Sequence, residues 1–208
     1  MTVQVPGKPI ARVFDLIEQV ALVLLYACLV YRLLPSEFTA TSWYPLILLV
    51  SEGIGAVVLL LRRRTDSISL NPGDWLIAAA ATYFVLAVAK GGTPIAPTPA
   101  LILMLSGLCI QVGAKLTLLR SFGLVAAPRG LVLKGVYSHV RHPMYAGYLL
   151  SHIGFLLWAP TLWNLAVYTV AWSCMIARIY AEERVLGEDP EYQAYMSRVR
   201  YRLIPFVF

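Results

Sequence analysis

Six runs of apolar residues, roughly 13–34, 44–61, 75–90, 100–119, 144–159 and 161–181, take up most of this chain. No other feature constrains its fold as much. Runs this long and this poor in charge are too apolar to be one-sided helices of a water-soluble domain. In a bilayer the backbone finds no water, so each run must satisfy its own N–H and C=O groups, and only a helix does that within one segment. Turn residues separate the runs at Pro35, Asn71-Pro72-Gly73-Asp74, Gly91-Gly92-Thr93-Pro94 and Ala159-Pro160. Composition agrees: 59% of residues are hydrophobic and 13% charged, where soluble domains carry about a quarter charged. The expected fold is all-α, a polytopic integral membrane protein with about six hydrophobic helical segments. The run at 144–159 is short for a span of about 20 residues, so it and 161–181 are expected to form a tight helical hairpin.

The net charge is +6. It does not point to nucleic acid, because the basic residues flank apolar runs and form no patch with interleaved aromatics. Membrane orientation explains them better. With the N-terminus in the cytoplasm and six spans, only Arg32 and Lys90 of the 17 lysines and arginines fall on the far side. Both termini and the polar clusters described next are then cytoplasmic. Trp43, Trp158 and Trp163 sit at run ends and read as interfacial anchors. Cys28, Cys109 and Cys174 lie inside apolar runs without metal or CxxC spacing and are expected to be buried small side chains. No metal site is expected.

Two polar clusters interrupt this apolar background. Residues 135–147 read Gly-Val-Tyr-Ser-His-Val-Arg-His-Pro-Met-Tyr-Ala-Gly, and the end of the last run carries Arg178, Glu182, Glu183 and Arg184. Arg178 and Glu182 are four apart, one turn along a single helix face. Arg141 and His142 enter a helix through Pro143, a residue suited to the first helical turn. Cations beside a helix N-terminus favour an anionic group, and the two glutamates favour a cation. Together they suit a ligand carrying both signs of charge at the membrane face. His139 reads as an interfacial loop residue, His152 as an interhelical packing residue, and Arg184 as a snorkelling anchor. Glu52, in the second run, is ionisable at membrane depth and therefore a functional candidate. Gly107 and Gly113 read as points of tight helix packing.

Arg-His-Pro-Met-Tyr at 141–145, preceded by Gly-Val-Tyr at 135–137 and followed by Gly147, resembles the signature of the isoprenylcysteine carboxyl methyltransferase family. Glu182-Glu183, then Gly187, Tyr192 and Tyr195, continue the resemblance, which the phospholipid N-methyltransferases share. It covers roughly 105–208. It implies a methyltransferase region at 105–208 built onto scaffold helices at 1–104 in one integrated domain. It also implies S-adenosylmethionine as methyl donor. By position, Leu131, Val132, Tyr137, His142, Pro143, Met144, Tyr145 and Glu182 match cofactor-enclosing positions. Arg178 matches the catalytic, substrate-binding arginine that takes a carboxylate. Arg129, Gly130, Arg141 and Glu183 match less directly.

The expected reaction is carboxyl O-methylation of an isoprenylcysteine-like, lipophilic or prenylated substrate. A carboxylate is already nucleophilic, and bidentate Arg178 would orient it. The lipophilic substrate would enter from the bilayer and the polar donor from the cytosol. Alternatives are methylation of a phospholipid amine, a phenol or enol, or a thiol, where His139 or Glu183 would be asked to take a proton. A membrane NADPH-dependent sterol-type reductase shares the His-Pro-x-Tyr element and is a further alternative, as is a non-catalytic membrane scaffold.

Overall fold

The computed structural model describes residues 8–37, 39, 42–61, 72–118 and 134–208. Among these residues all regular structure is helical. The helices are α1 (Lys8–Leu33), α2 (Trp43–Leu61), α3 (Pro72–Tyr83), α4 (Pro97–Leu118), α5 (Pro143–Trp158), α6 (Leu162–Leu186) and α7 (Pro190–Arg198). Two 3-10 turns, Phe84–Ala87 and Gly135–Ser138, extend α3 and precede α5. The six apolar runs are α1 to α6, with one consequential shift. Helix α6 continues past the expected end of its run to Leu186, so Arg178 through Arg184 lie on a rigid helix. By length and composition, α4 and α6 are long and apolar enough to cross a membrane.

Helix ends collect at two poles. At one pole Arg32 Nη2 donates to Ala87 O at 2.9 Å, Lys90 Nζ to Leu34 O at 2.9 Å and Trp163 Nε1 to Ala87 O at 2.9 Å. Cations there meet the unpaired carbonyls that helices leave at their C-terminal ends. Arg32 and Lys90, set apart by the charge pattern, share this pole. So do Trp43 at the start of α2 and Trp158 at the end of α5, where Trp158 stacks on Tyr44 at 5.3 Å. Asn164 closes the pole. It is fully buried, accepts from Ala89 N at 3.0 Å and donates to Ala89 O and Ala159 O at 2.9 Å each. Asn164→Leu leaves both backbone groups of Ala89 unpaired. It is expected to cost about 2 kcal/mol, read as a lower melting temperature of the detergent-solubilised chain.

Glycines set the tightest contact in the bundle. A Cβ on Gly147 would meet Gly107 O at 2.7 Å, and one on Gly154 would meet Ala100 O at 2.7 Å. Helices α4 and α5 are therefore pressed together backbone to backbone, as small residues in membrane helices permit. Gly107 belongs to this seam. Gly113 does not, since its Cβ would find only Val136 Cγ1 at 3.8 Å. The tight hairpin expected of α5 and α6 is not established by their contacts. Phe155 and Tyr168 meet edge-on at 6.5 Å and Trp172 reaches His152, but these large side chains hold the two backbones apart, and α6 packs along α3.

A polar chain crosses the seam. Ser51 Oγ donates to Gln111 Oε1 at 2.7 Å, Gln111 Nε2 to Ser151 Oγ at 3.1 Å, and Lys115 Nζ to Ser51 O at 3.0 Å. Lys115, which the charge pattern counts with the cations flanking the apolar runs, is instead a buried strut between α4 and α2. The cysteines depart as well. Cys28 and Cys109 are exposed and Cys174 is half-buried. The outer surface of the bundle is itself apolar, with Leu16, Leu24, Ile102, Leu116 and Leu162 exposed, so a small apolar side chain gains nothing by turning inward.

Candidate functional site

The opposite pole carries both polar clusters. Gly135 adopts φ +63°, a left-handed conformation open to glycine, and turns the chain into the 3-10 segment that holds Tyr137. Tyr137 is buried and packs with Met144 and Ala114. Pro143 starts α5. His142 occupies the position before it but makes no capping bond with its side chain, which is left free to reach α6.

The C-terminal tail seals this pole. Helix α7 docks through Tyr192 and Tyr195, joined by Val199 just beyond its end, and Tyr195 Oη donates to Tyr137 O at 2.7 Å. Burial pushes the Tyr195 phenol up to about 12, with Arg141 pulling it down and Glu183 pushing it up. It therefore stays protonated and keeps donating. Burial also raises Tyr137 and Tyr192 above the ordinary phenol range. Beyond α7 the chain returns alongside the α5 entry, where Arg141 N donates to Tyr201 O at 2.9 Å and His142 N to Arg202 O at 2.8 Å.

Glu182 and Glu183 are neighbours on α6, so their side chains leave the helix about 100° apart, and they serve different partners. Glu183 is buried among cations. Arg202 Nε donates to its Oε2 at 2.8 Å, and His142 Nε2 lies 3.1 Å from its Oε1. Arg141 Nε is 2.8 Å from the same Oε1, an ion pair without hydrogen-bond alignment. A carboxylate only accepts, so His142 carries its proton on Nε2. Glu182 faces the bundle interior. Its Oε1 accepts from Tyr145 Oη at 2.6 Å and from Arg178 Nε at 3.0 Å. Its Oε2 lies 3.8 Å from His142 Nδ1, beyond hydrogen-bond distance. Arg178 also donates to Thr82 Oγ1 at 3.3 Å and stands over the Tyr145 ring at 5.5 Å.

Behind this pole lies a cleft with about 540 Å³ of space between its atoms, including its open mouth. Met144, Tyr145 and Arg178 line it together with Leu22, Glu52 and Thr82 of the first three helices. The structure therefore brings His142, Met144, Tyr145, Arg178 and Glu182 to one place. Tyr137 lies beneath them, and Pro143 acts only through the backbone. Arg129, Gly130, Leu131 and Val132 lie outside the described residues. Arg141 and Glu183 bind the tail rather than face the cleft. His139 is exposed and paired with Ser138 Oγ at 3.0 Å, away from the cleft lining, and Glu183 is already engaged by Arg141, Arg202 and His142; neither is placed to take a proton from an acceptor in the cleft. Arg202 and Thr82 escaped the sequence reading. Arg202 stood in a basic tail with no spacing linking it to Glu183, and Thr82 is one hydroxyl in an apolar run.

The arrangement fits a ligand of mixed charge. Glu182 keeps one carboxylate oxygen without a hydrogen bond at an edge that is 18% exposed, which suits an ammonium or sulfonium. The α5 N-terminus and Arg178 supply positive potential for a carboxylate. No curated protein matches the chain. Residues 100–189, which hold most of α4 and all of α5 and α6, match the family model described as PEMT, phospholipid methyltransferase, and this supports reading that part of the chain as a membrane methyltransferase.

Proposed function

We propose that the protein transfers a methyl group from S-adenosylmethionine to a lipophilic acceptor held in the cleft. The observation that carries this is the Glu182–Tyr145–Arg178 cluster, which places a partly exposed carboxylate beside a guanidinium at the edge of a cleft walled by apolar helices. Glu182, His142 and Tyr145 would hold the donor's charged end, with Met144 against its apolar parts. Bound there, S-adenosylmethionine supplies an electrophilic methyl carbon on sulfonium sulfur. The chain's own task is then alignment of acceptor, methyl and sulfur, and exclusion of water. The family match and the apolar exterior favour an acceptor that arrives from the bilayer through a multi-pass bundle, with the charged pole on the cytoplasmic side. An isoprenylcysteine carboxylate would have to draw Arg178 away from Glu182 or Thr82.

Calorimetry with S-adenosylhomocysteine on the purified full chain in detergent tests the proposal. Wild type is expected to bind, and Glu182→Gln, checked for an unchanged melting profile, to bind at least about tenfold more weakly, worth about 1.4 kcal/mol. No heat from folded wild type would end the methyltransferase reading, and NADPH would be titrated next.

A further inference from the structure

Three buried polar atoms near the floor of the same cleft have no partner: Glu52 Oε1, His152 Nε2 and Tyr168 Oη. Buried polar groups are nearly always hydrogen-bonded, so three together in an apolar bundle call for an explanation. Glu52 and His152 both line the cleft, and His152 is 2% exposed. Trp172 Nε1 donates to His152 Nδ1 at 3.2 Å. Indole is a donor only, so Nδ1 is the bare nitrogen and the ring proton sits on Nε2. His152 is thereby fixed, by Trp172 and by stacking on Tyr168 at 4.7 Å, as a donor that has no acceptor. Glu52 Oε1 is an acceptor 4.0 Å from it, too far for a direct bond. One oxygen about 2.8 Å from each would bridge that gap with ordinary hydrogen bonds.

We propose that Glu52 and His152 form the acceptor subsite, and that the group it takes is the hydroxyl of a lipophilic alcohol or phenol. This rests on the methyltransferase reading above. A hydroxyl matches both atoms: its oxygen accepts from His152 Nε2 and its proton goes to Glu52 Oε1, leaving one lone pair for reaction. A neutral amine has a single lone pair, which His152 would occupy. A carboxylate would face the Glu52 carboxylate. In the transfer, the acceptor oxygen forms its bond to the methyl carbon and the carbon–sulfur bond breaks, its electron pair remaining on sulfur as a thioether. The O–H bond breaks and its proton passes to Glu52. Lys115, buried beside Ser51, is close enough to Glu52 to interact electrostatically and supplies a countercharge when no proton is there.

Native mass spectrometry of the full chain released from detergent, with 4-nonylphenol, 4-nonylaniline and 4-nonylbenzoic acid as probes of one shape, tests this. Wild type is expected to retain the phenol at least about tenfold more tightly than the other two, and Glu52→Leu to lose about tenfold of that affinity. Glu52→Gln keeps an acceptor oxygen; it is expected to bind the phenol within about threefold of wild type but to form no methyl ether from it when S-adenosylmethionine is added. Tighter retention of the aniline or the benzoic acid would overturn the proposal. So would unchanged phenol binding in Glu52→Leu, methyl ether formed at the wild-type rate by Glu52→Gln, or no probe retained, which would leave the pair bridged by water only. Binding of S-adenosylhomocysteine is read in the same spectra. Its absence, with Glu52-dependent phenol binding intact, would remove the methyl transfer and leave the hydroxyl subsite standing.

Discussion

Glu183→Gln is expected to free the C-terminal tail and to lower the stability of the solubilised chain by about 3 kcal/mol. The carboxylate is buried and faces Arg141, Arg202 and His142 at 2.8, 2.8 and 3.1 Å. Removing one charge from a buried cluster costs far more than losing a surface ion pair, because the remaining charges keep their desolvation penalty and lose their counterion. The amide retains the shape of the side chain, so the change isolates charge. Beyond Arg198, the tail is held by this cluster, by the backbone bonds from Arg141 and His142 to Tyr201 and Arg202, and by Leu203 packed with Tyr145 and Ile179. Trypsin should therefore cut the variant quickly at Arg198, Arg200 or Arg202 while wild type resists, and the melting temperature should fall. Equal protection of the two proteins would mean that the apolar contacts of Tyr192, Tyr195 and Leu203 hold the tail without Glu183.

Gly147→Leu is expected to be the most damaging single change, costing at least about 3 kcal/mol and reducing the yield of folded protein. A Cβ at 147 would lie 2.7 Å from Gly107 O and 2.9 Å from Gln111 N. Those are backbone atoms of a helix and cannot swing aside as the end of a side chain can. Helices α4 and α5 would have to separate, and the first turn of α5, with Met144 and Tyr145, would move with them. Gly113→Leu, on α4, is the control, since a Cβ there meets nothing closer than 3.8 Å. Monodisperse elution and melting temperature in detergent compare the two. If Gly147→Leu behaves like Gly113→Leu, the α4–α5 seam is more adaptable than its geometry implies.

Glu52 shows where a sequence signal exists but its use does not. A carboxylate within an apolar run is conspicuous. Only the packing of α2 against α5 brings it within 4.0 Å of His152, which by sequence alone is an interhelical histidine. That reading of His152 holds for Nδ1, bonded to Trp172, and stops short at Nε2. Lys115 and the three cysteines fail for a shared reason. Position along a run does not say which way a side chain points, and in a bundle with an apolar exterior inside and outside look alike in composition.

By itself the sequence determined that the apolar runs are helical, because a segment of this length can satisfy its own backbone in lipid in no other way. It also located the two polar clusters, because charges are conspicuous against apolar runs and costly near a bilayer. The four-residue spacing placed Arg178 beside Glu182, an interaction local to one helix turn that the structure shows at 3.0 Å. Only the tertiary structure separated Glu182 from Glu183, since the 100° between neighbouring helix positions matters only once α5 and the tail take their places around α6. Only it assigned Arg202 to Glu183, put Thr82 against Arg178, and set the glycines of α4 and α5 face to face. Contacts between residues far apart in sequence follow from how the helices pack, and no local period records them.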